Sequence, residues 1–225
     1  KVDIAAKHES KKAKSFLYQG YYDTTCLVEA DDEPPNEVNH DALLTTLQVS
    51  KLLNAKIVDK IQFMRKVVID GSNVSGFQRT ALVARNGYIT IQGKKINIPA
   101  ICLEEEACQT IKRSTNQDIY NLSRLGIPLI EIATSPDIVS PKQCKVVAEH
   151  LGMILRSTNK VKRGIGTIRQ DVNVSIKKGA RVEVKGFQDL RNIPKVINYE
   201  VERQLSLAKK GKRVLEEVRK AEPNL

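Results

Sequence analysis

The sequence predicts an α+β fold, mainly an antiparallel sheet with flanking helices. Three observations carry that prediction. Short strand-like runs follow one another through 64–104 with turn residues between them, and consecutive hairpins impose antiparallel pairing. A period of two runs through 168–185, interrupted at Lys177-Lys178-Gly179-Ala180. Apolar residues recur at helical spacing near 40–57, 140–158 and 193–210.

Taken in order, residues 1–15 read as a basic, poorly ordered arm, and 16–39 begins strand-like and ends in an acidic Pro-Pro turn. The stretch 40–57 reads as a helix with Asp41 near its start and Leu43, Leu44, Leu47, Leu52 and Leu53 on roughly one stripe. In the β-rich block, Asn86-Gly87 carries the strongest short hairpin signal, and "QGKK" (92–95) is a second turn candidate. The stretch from Gly126 reads as strand, turn and helix. Ser140 is placed to cap that helix and Pro141 to open it, with Val147, Leu151, Ile154 and Leu155 as its apolar face. A hairpin over 168–185 would set Arg169, Asp171, Asn173, Ser175, Glu183 and Lys185 on one polar face. A helix over about 193–210 follows, with a further helical segment from Lys212. Both ends read as internal to a longer chain.

The 225 residues carry a formal net charge of +11, which suits a polyanionic partner such as RNA, DNA or a nucleotide. Trp is absent and aromatic residues are scarce, which argues against a stacking platform for single-stranded bases. Cys26, Cys102, Cys108 and Cys144 contain no C-x-x-C pair, and His8, His40 and His150 have no metal-ligand spacing. No apolar run could span a membrane and no signal peptide is visible, so a soluble, cytoplasmic protein is expected.

Three constellations could carry chemistry. In "NIPAICLEEEA", strand alternation presents Glu104 on the face of Ala100 and Cys102, and in "PLIEIAT" Glu131 is a lone carboxylate in an apolar strand. A carboxylate buried in such a strand needs a cation. Two of them form a hard-oxygen site suited to Mg²⁺, or Glu131 pairs with an Arg or Lys. The segment 65–80 offers Ser72, Asn73, Ser75, Gln78, Arg79 and Thr80 as donors around glycines. It reads as a phosphate cradle or as a polar turn, and it is neither a Walker loop nor a dinucleotide fingerprint. On the polar face of 168–185, Arg169 or Lys185 could neutralise phosphoryl oxygens, and Asp171 or Glu183 could hold a metal or water. An ordinary solvated sheet face has the same pattern.

Together, "DTTCLVEADDEPPNEVN", "MRKVVIDGSNVSGFQRTALVA", "LEEEA", "GIPLIEIATSPDI", "GTIRQDVNVSI" and "RVEVKGFQDLRNIPKVINYEVERQ" occur in an order that closely resembles the GatB/GatE family of glutamyl-tRNA(Gln) amidotransferase subunits, in its archaeal GatE form. The resemblance covers about residues 15–225. It implies a glutamine-synthetase-like cradle over 16–210 and a helical segment, 211–225, leading to further domains. It also implies an ATP- and Mg²⁺-dependent ligase that phosphorylates glutamate on Glu-tRNA(Gln). Ammonia supplied by an asparaginase-like GatD partner then displaces the phosphate, in a heterotetramer of two GatD and two GatE chains.

By the same resemblance the metal-binding acidic positions are Glu104 and Glu131. Arg169, Asp171 and Lys185 become catalytic positions. Ser72, Asn73, Ser75, Gln78, Arg79, Asn173, Ser175 and Glu183 become nucleotide- or substrate-binding positions. Glu106 stands where the family more often has Asp. The family's N-terminal motif, with a Glu and a His completing the metal site, is missing, so weak or no activity is expected of this stretch alone. The alternative is a non-catalytic RNA-binding or partner-binding fragment.

Overall fold

A computed structural model describes residues 4–187 and 189–221. Residues 1–3 of the expected arm, 222–225 of the expected C-terminal helix, and Gln188 lie outside the described residues. The fold is mixed α+β and divides into two units, residues 1–88 with 97–134, and residues 89–96 with 135–225.

The first unit is built from α1 (Ile4–Ser10), β1 (Ser15–Gln19), α2 (His40–Leu52), β2 (Lys56–Ile57), β3 (Phe63–Val67), most of β4 (Phe77–Ile91) and β5 (Lys94–Glu105), then β6 (Gln109–Arg113), β7 (Gln117–Asn121) and β8 (Pro128–Ala133). Part of the expected arm is therefore the short helix α1. A five-stranded sheet runs β2-β4-β5-β8 with β3 also paired to β4, and these pairs are antiparallel where β2, β3 and β8 join. A second sheet runs β1-β7-β6, and there β1 is parallel to β7.

Two sequence expectations change here. The hairpin between β4 and β5 turns at Gln92-Gly93, both at positive φ (50° and 76°), as a two-residue primed turn requires. Asn86-Gly87 instead sits inside β4. There Asn86 has φ 57°, Tyr88 N donates to the Leu53 carbonyl at 2.8 Å, and a Cβ on Gly87 would lie 2.8 Å from that same oxygen. The pair marks where the end of α2 docks on the strand, a close approach only glycine permits. Helix α2 also stops at Leu52, capped at its start by Asn39. Its buried stripe is Thr45, Thr46, Val49 and Ser50, while Leu44 and Leu52 are exposed. The hydroxyls can be buried because each donates to the carbonyl four residues back, at 2.7 Å.

The second unit contains the hairpin tip 89–96, α3 (Pro141–Ser157), β9 (Val172–Val174), β10 (Val182–Lys185), α4 (Ile193–Lys209) and β11 (Glu217–Lys220). Ser140 caps α3 as expected, accepting from Gln143 N, and Pro141 opens it. Val172, Val174, Val182 and Val184 form the inner face of the β9–β10 pair, packed with Cys144, Ala148, Ile193, Val196 and Ile197. The strand expected over 168–176 is three residues long.

The expected helix from Lys212 is corrected. Glu217–Lys220 is a strand parallel to β10, reached through α4 as a strand–helix–strand crossover. Arg203 on α4 holds it there. Its guanidinium bonds buried Glu200 at 2.9 Å through two nitrogens and reaches Glu217 at 2.7 Å.

Candidate functional site

The chemistry-bearing residues fall into two groups, one in each unit. In the first unit the β5–β8 ladder pairs Cys102 with Glu131 and Glu104 with Leu129. Directly opposed residues share a face, so Glu104 and Glu131 are diagonal neighbours on one face, a spacing of about 7–8 Å within reach of long side chains. That face is open. Glu131 is exposed and Glu104 half-buried, so the buried carboxylate expected at 131 is not found. β8 ends the order of this sheet, and an exposed carboxylate there keeps its hydration.

Glu104 is held on both sides. Thr80 Oγ1 donates to its Oε1 at 3.0 Å, and Lys66 Nζ approaches the same oxygen at 3.8 Å. Between the two carboxylates lies Cys102. Burial, then the negative charges of Glu131 and Glu104, push its thiol up, against the opposing pull of Lys66. Neither Lys66 nor Cys102 is among the site residues that the sequence predicts. Strand alternation with Glu104 marks Cys102, whereas Lys66 reaches this face only through the β3–β4 register, Lys66 opposite Gln78.

Among the donors of the expected phosphate cradle, Ser72, Ser75, Gln78, Arg79 and Thr80 bond inside the protein. Ser72 donates to Asp70 Oδ1 through N (3.1 Å) and Oγ (2.6 Å), and Ser75 donates to Asn73 Oδ1 through N (3.3 Å) and Oγ (2.8 Å). These are two successive Asx-type turns. Gln78 Nε2 bonds the Glu105 carbonyl. Arg79 forms a bidentate pair with Glu105 and donates to the Asn36 carbonyl at 2.7 Å. The loop is anchored from below, where Tyr120 Oη donates to the Asp70 carbonyl at 2.7 Å and Tyr18 Oη to the Gly71 carbonyl at 2.8 Å. Burial and then the charge of Asp70 push the Tyr120 hydroxyl up to about 12, so it donates at any physiological pH. Asp70 itself is held below the usual carboxylate range. Burial opposes this, but the Ser72 bonds and Arg113 outweigh it.

A groove of about 550 Å³ opens at the end of β5. One wall carries Arg65, Phe77, Arg79 and Glu104–Glu106, and the other is the irregular segment 28–39 with Glu29, Asp31, Asp32, Glu33 and Glu37. Of the residues expected to bind nucleotide, Asn73, Ser75 and Arg79 line it. The sequence marks the acidic segment only as a turn, because nothing local says which surface it lies against.

In the second unit the register Val182↔Val174, Glu183↔Asn173, Val184↔Val172 places Asn173 and Glu183 side by side. Lys185 Nζ bonds Asp171 at 3.0 Å and Glu183 at 3.2 Å. Burial would lower this ammonium's pKa, but Asp171 and then Glu183 outweigh it and hold it above the ordinary lysine value. The polar face is thus present over Asp171, Asn173, Glu183 and Lys185. Arg169 and Ser175 lie beyond the ends of β9 and are exposed.

Fold and site define a mixed α+β domain that displays carboxylates on an open sheet face. Residues 9–224 match the model of the GatB/GatE catalytic domain, and the chain belongs to that family. It is similar to the E subunit of the glutamyl-tRNA(Gln) amidotransferase of Archaeoglobus fulgidus, at 56% identity over 223 residues, covering 96% of this chain and 36% of the relative. The same subunit of Thermococcus gammatolerans is 57% identical over 208 residues (92% of this chain, 33% of the relative). That of Methanococcus maripaludis strain C7 is 59% identical over 206 residues (92% and 33%). The chain therefore spans about a third of the length of these curated relatives. Among the described residues no helix is long and apolar enough to cross a membrane.

Proposed function

We propose that this chain supplies the phosphorylating domain of a tRNA-dependent amidotransferase. The γ-carboxylate oxygen of glutamate on Glu-tRNA(Gln) attacks the γ-phosphorus of ATP, the bond to the β-phosphate breaks, and ADP leaves. Ammonia delivered by an asparaginase-like partner protein then attacks the acyl phosphate carbon. Phosphate departs, a proton passes to solvent, and Gln-tRNA(Gln) remains.

The observation that carries this reading is the same-face placement of Glu104 and Glu131 on the open side of the β5–β8 ladder, with Lys66 and Thr80 against Glu104. Among the described residues no group of three or more His, Cys, Asp and Glu is arranged to hold a metal ion. A pair of carboxylates fits Mg²⁺ nonetheless, since that ion commonly takes one or two carboxylates and completes its shell with substrate phosphates and water. Glu104 and Glu131 would hold it, and once bound it would neutralise charge on the transferring phosphoryl group. Thr80 fixes which Glu104 oxygen is committed inward. Lys66 offers a cation beside it. In the second unit, Lys185, kept charged by Asp171 and Glu183, would supply the cation of a separate polar face with Asn173 beside Glu183, and Arg169 and Ser175 are the further candidate positions flanking it.

The test uses the whole protein assembled with its ammonia-donating partner. ADP should form in step with Gln-tRNA(Gln), and Glu104→Gln or Glu131→Gln should lower ADP formation by about 10²–10³ while tRNA binding persists. Amidation without ATP cleavage would refute the reading.

A further inference from the structure

We propose that Arg79 is a positioning residue rather than a phosphate ligand: it ties the acidic segment 28–39 and the end of β5 to β4. Its nitrogens are all engaged. Nε donates to both Glu105 oxygens at 3.0 and 2.9 Å, Nη2 donates to Glu105 as well, and Nη1 donates to the Asn36 carbonyl at 2.7 Å. The side chains of Arg79 and Glu105 are only 18% and 26% exposed. The Glu105 pair occupies the Nε–Nη2 edge, so a phosphate could grip Arg79 in the same two-pronged way on that edge only by breaking a charge-assisted pair and leaving Glu105 half-buried without its cation.

The strand register gives a second reason for the pair. Arg65 lies directly opposite Arg79, and like charges so placed repel. Glu105 neutralises one of them, and each guanidinium also lies over a diagonal ring, Arg65 over Phe77 at 4.5 Å and Arg79 over Phe63 at 5.7 Å. Three successive residues of β4 thereby grip β5. Gln78 holds the Glu105 carbonyl, Arg79 the Glu105 carboxylate and Thr80 the Glu104 carboxylate. Losing the middle grip leaves the end of β5 that carries Glu104 held by Gln78, Thr80 and the β8 ladder alone. Asn36 lies three residues before Asn39, the cap of α2, so the same guanidinium pins the irregular segment at the point where it enters the helix.

The kinetic consequence, which rests on the ATP-dependent reaction proposed above, is that Arg79 acts on turnover through Glu104. In the whole protein with its partner, Arg79→Met and Glu105→Gln should each speed cleavage of 28–39 by a glutamate-specific protease about tenfold. Each should lower kcat about tenfold with KM for ATP within about twofold, and the double variant should be no worse than either single, as for residues that act as one unit. Glu105→Gln removes the pair without removing the arginine, so the cleavage test stands even if Arg79→Met fails to fold. The inference is overturned if Arg79→Met raises KM for ATP about tenfold or more while cleavage of 28–39 stays at the wild-type rate, or if cleavage is unchanged in both variants. Wild-type protein that cleaves no ATP would sink the functional reading alone, and the cleavage rates would still decide the role of Arg79.

Discussion

Glu131 sits directly across the β5–β8 ladder from Cys102, and after burial its charge is the next cause that pushes the Cys102 thiol up. This single pairing puts Glu131 on the face of Glu104. It also makes the thiol a reporter of the carboxylates around it.

Glu131→Gln removes a negative charge beside Cys102, so the thiol pKa falls and the thiolate fraction at about pH 8 rises. Alkylation of Cys102, resolved from the other cysteines by peptide mass spectrometry, should be faster than in wild type. Lys66→Met removes the opposing positive charge and should slow it. An unchanged rate in Glu131→Gln would mean that the register is wrong.

Turnover offers the complementary test of the same pair. Glu104→Gln and Glu131→Gln in the whole enzyme should lower ATP-dependent amidation by about 10²–10³, the usual cost of one electrostatic contact to a reacting group. Melting temperature should hold in Glu131→Gln, whose side chain is exposed. Activity within a factor of a few of wild type would remove both residues from the chemistry.

The loop after β3 should be sensitive to one methyl group. Gly71 has φ +78°, and a Cβ there would lie 2.5 Å from the Phe16 ring. Gly71→Ala combines left-handed strain with overpacking and should cost about 2 kcal/mol or more. Gly126 has φ +79° but nothing within 4 Å of the added atom, so Gly126→Ala should cost about 1 kcal/mol, from backbone strain alone. Chemical denaturation of both variants decides whether Phe16 is the obstacle.

Acid should weaken the same loop. The folded-state pKa of Asp70 lies below its ordinary value, so its stabilisation is present above the unfolded value, about pH 3.9, and is lost as pH falls through the folded value. Asp70→Asn should therefore be less stable than wild type at neutral pH, with the gap closing in that acid range. A gap that does not change with pH would show that the carboxylate charge is irrelevant to the loop.

Much of this was legible in the residues. The alternation around Glu104, Glu131, Asn173 and Glu183 assigned faces correctly, because the two-residue repeat of a strand is local. The Ser140 cap and the turn at Gln92-Gly93 were legible for the same reason, although Asn86-Gly87 was the stronger hairpin signal and lies inside β4. Donor-rich composition marked 70–80 as special without revealing that its donors turn inward.

By itself the sequence determined the mixed α+β class, the helices and strands with strong periodicity, and the family. Each of these depends on neighbours along the chain or on motifs in order. Long-range contacts, in contrast, set Cys102 opposite Glu131, engage Arg79 with Glu105 and Asn36, lay 28–39 along a groove and make 217–220 a strand. Those outcomes depend on which distant segments supply hydrogen-bond ladders, counter-charges and close backbone approaches, and local periodicity carries no information about such partners.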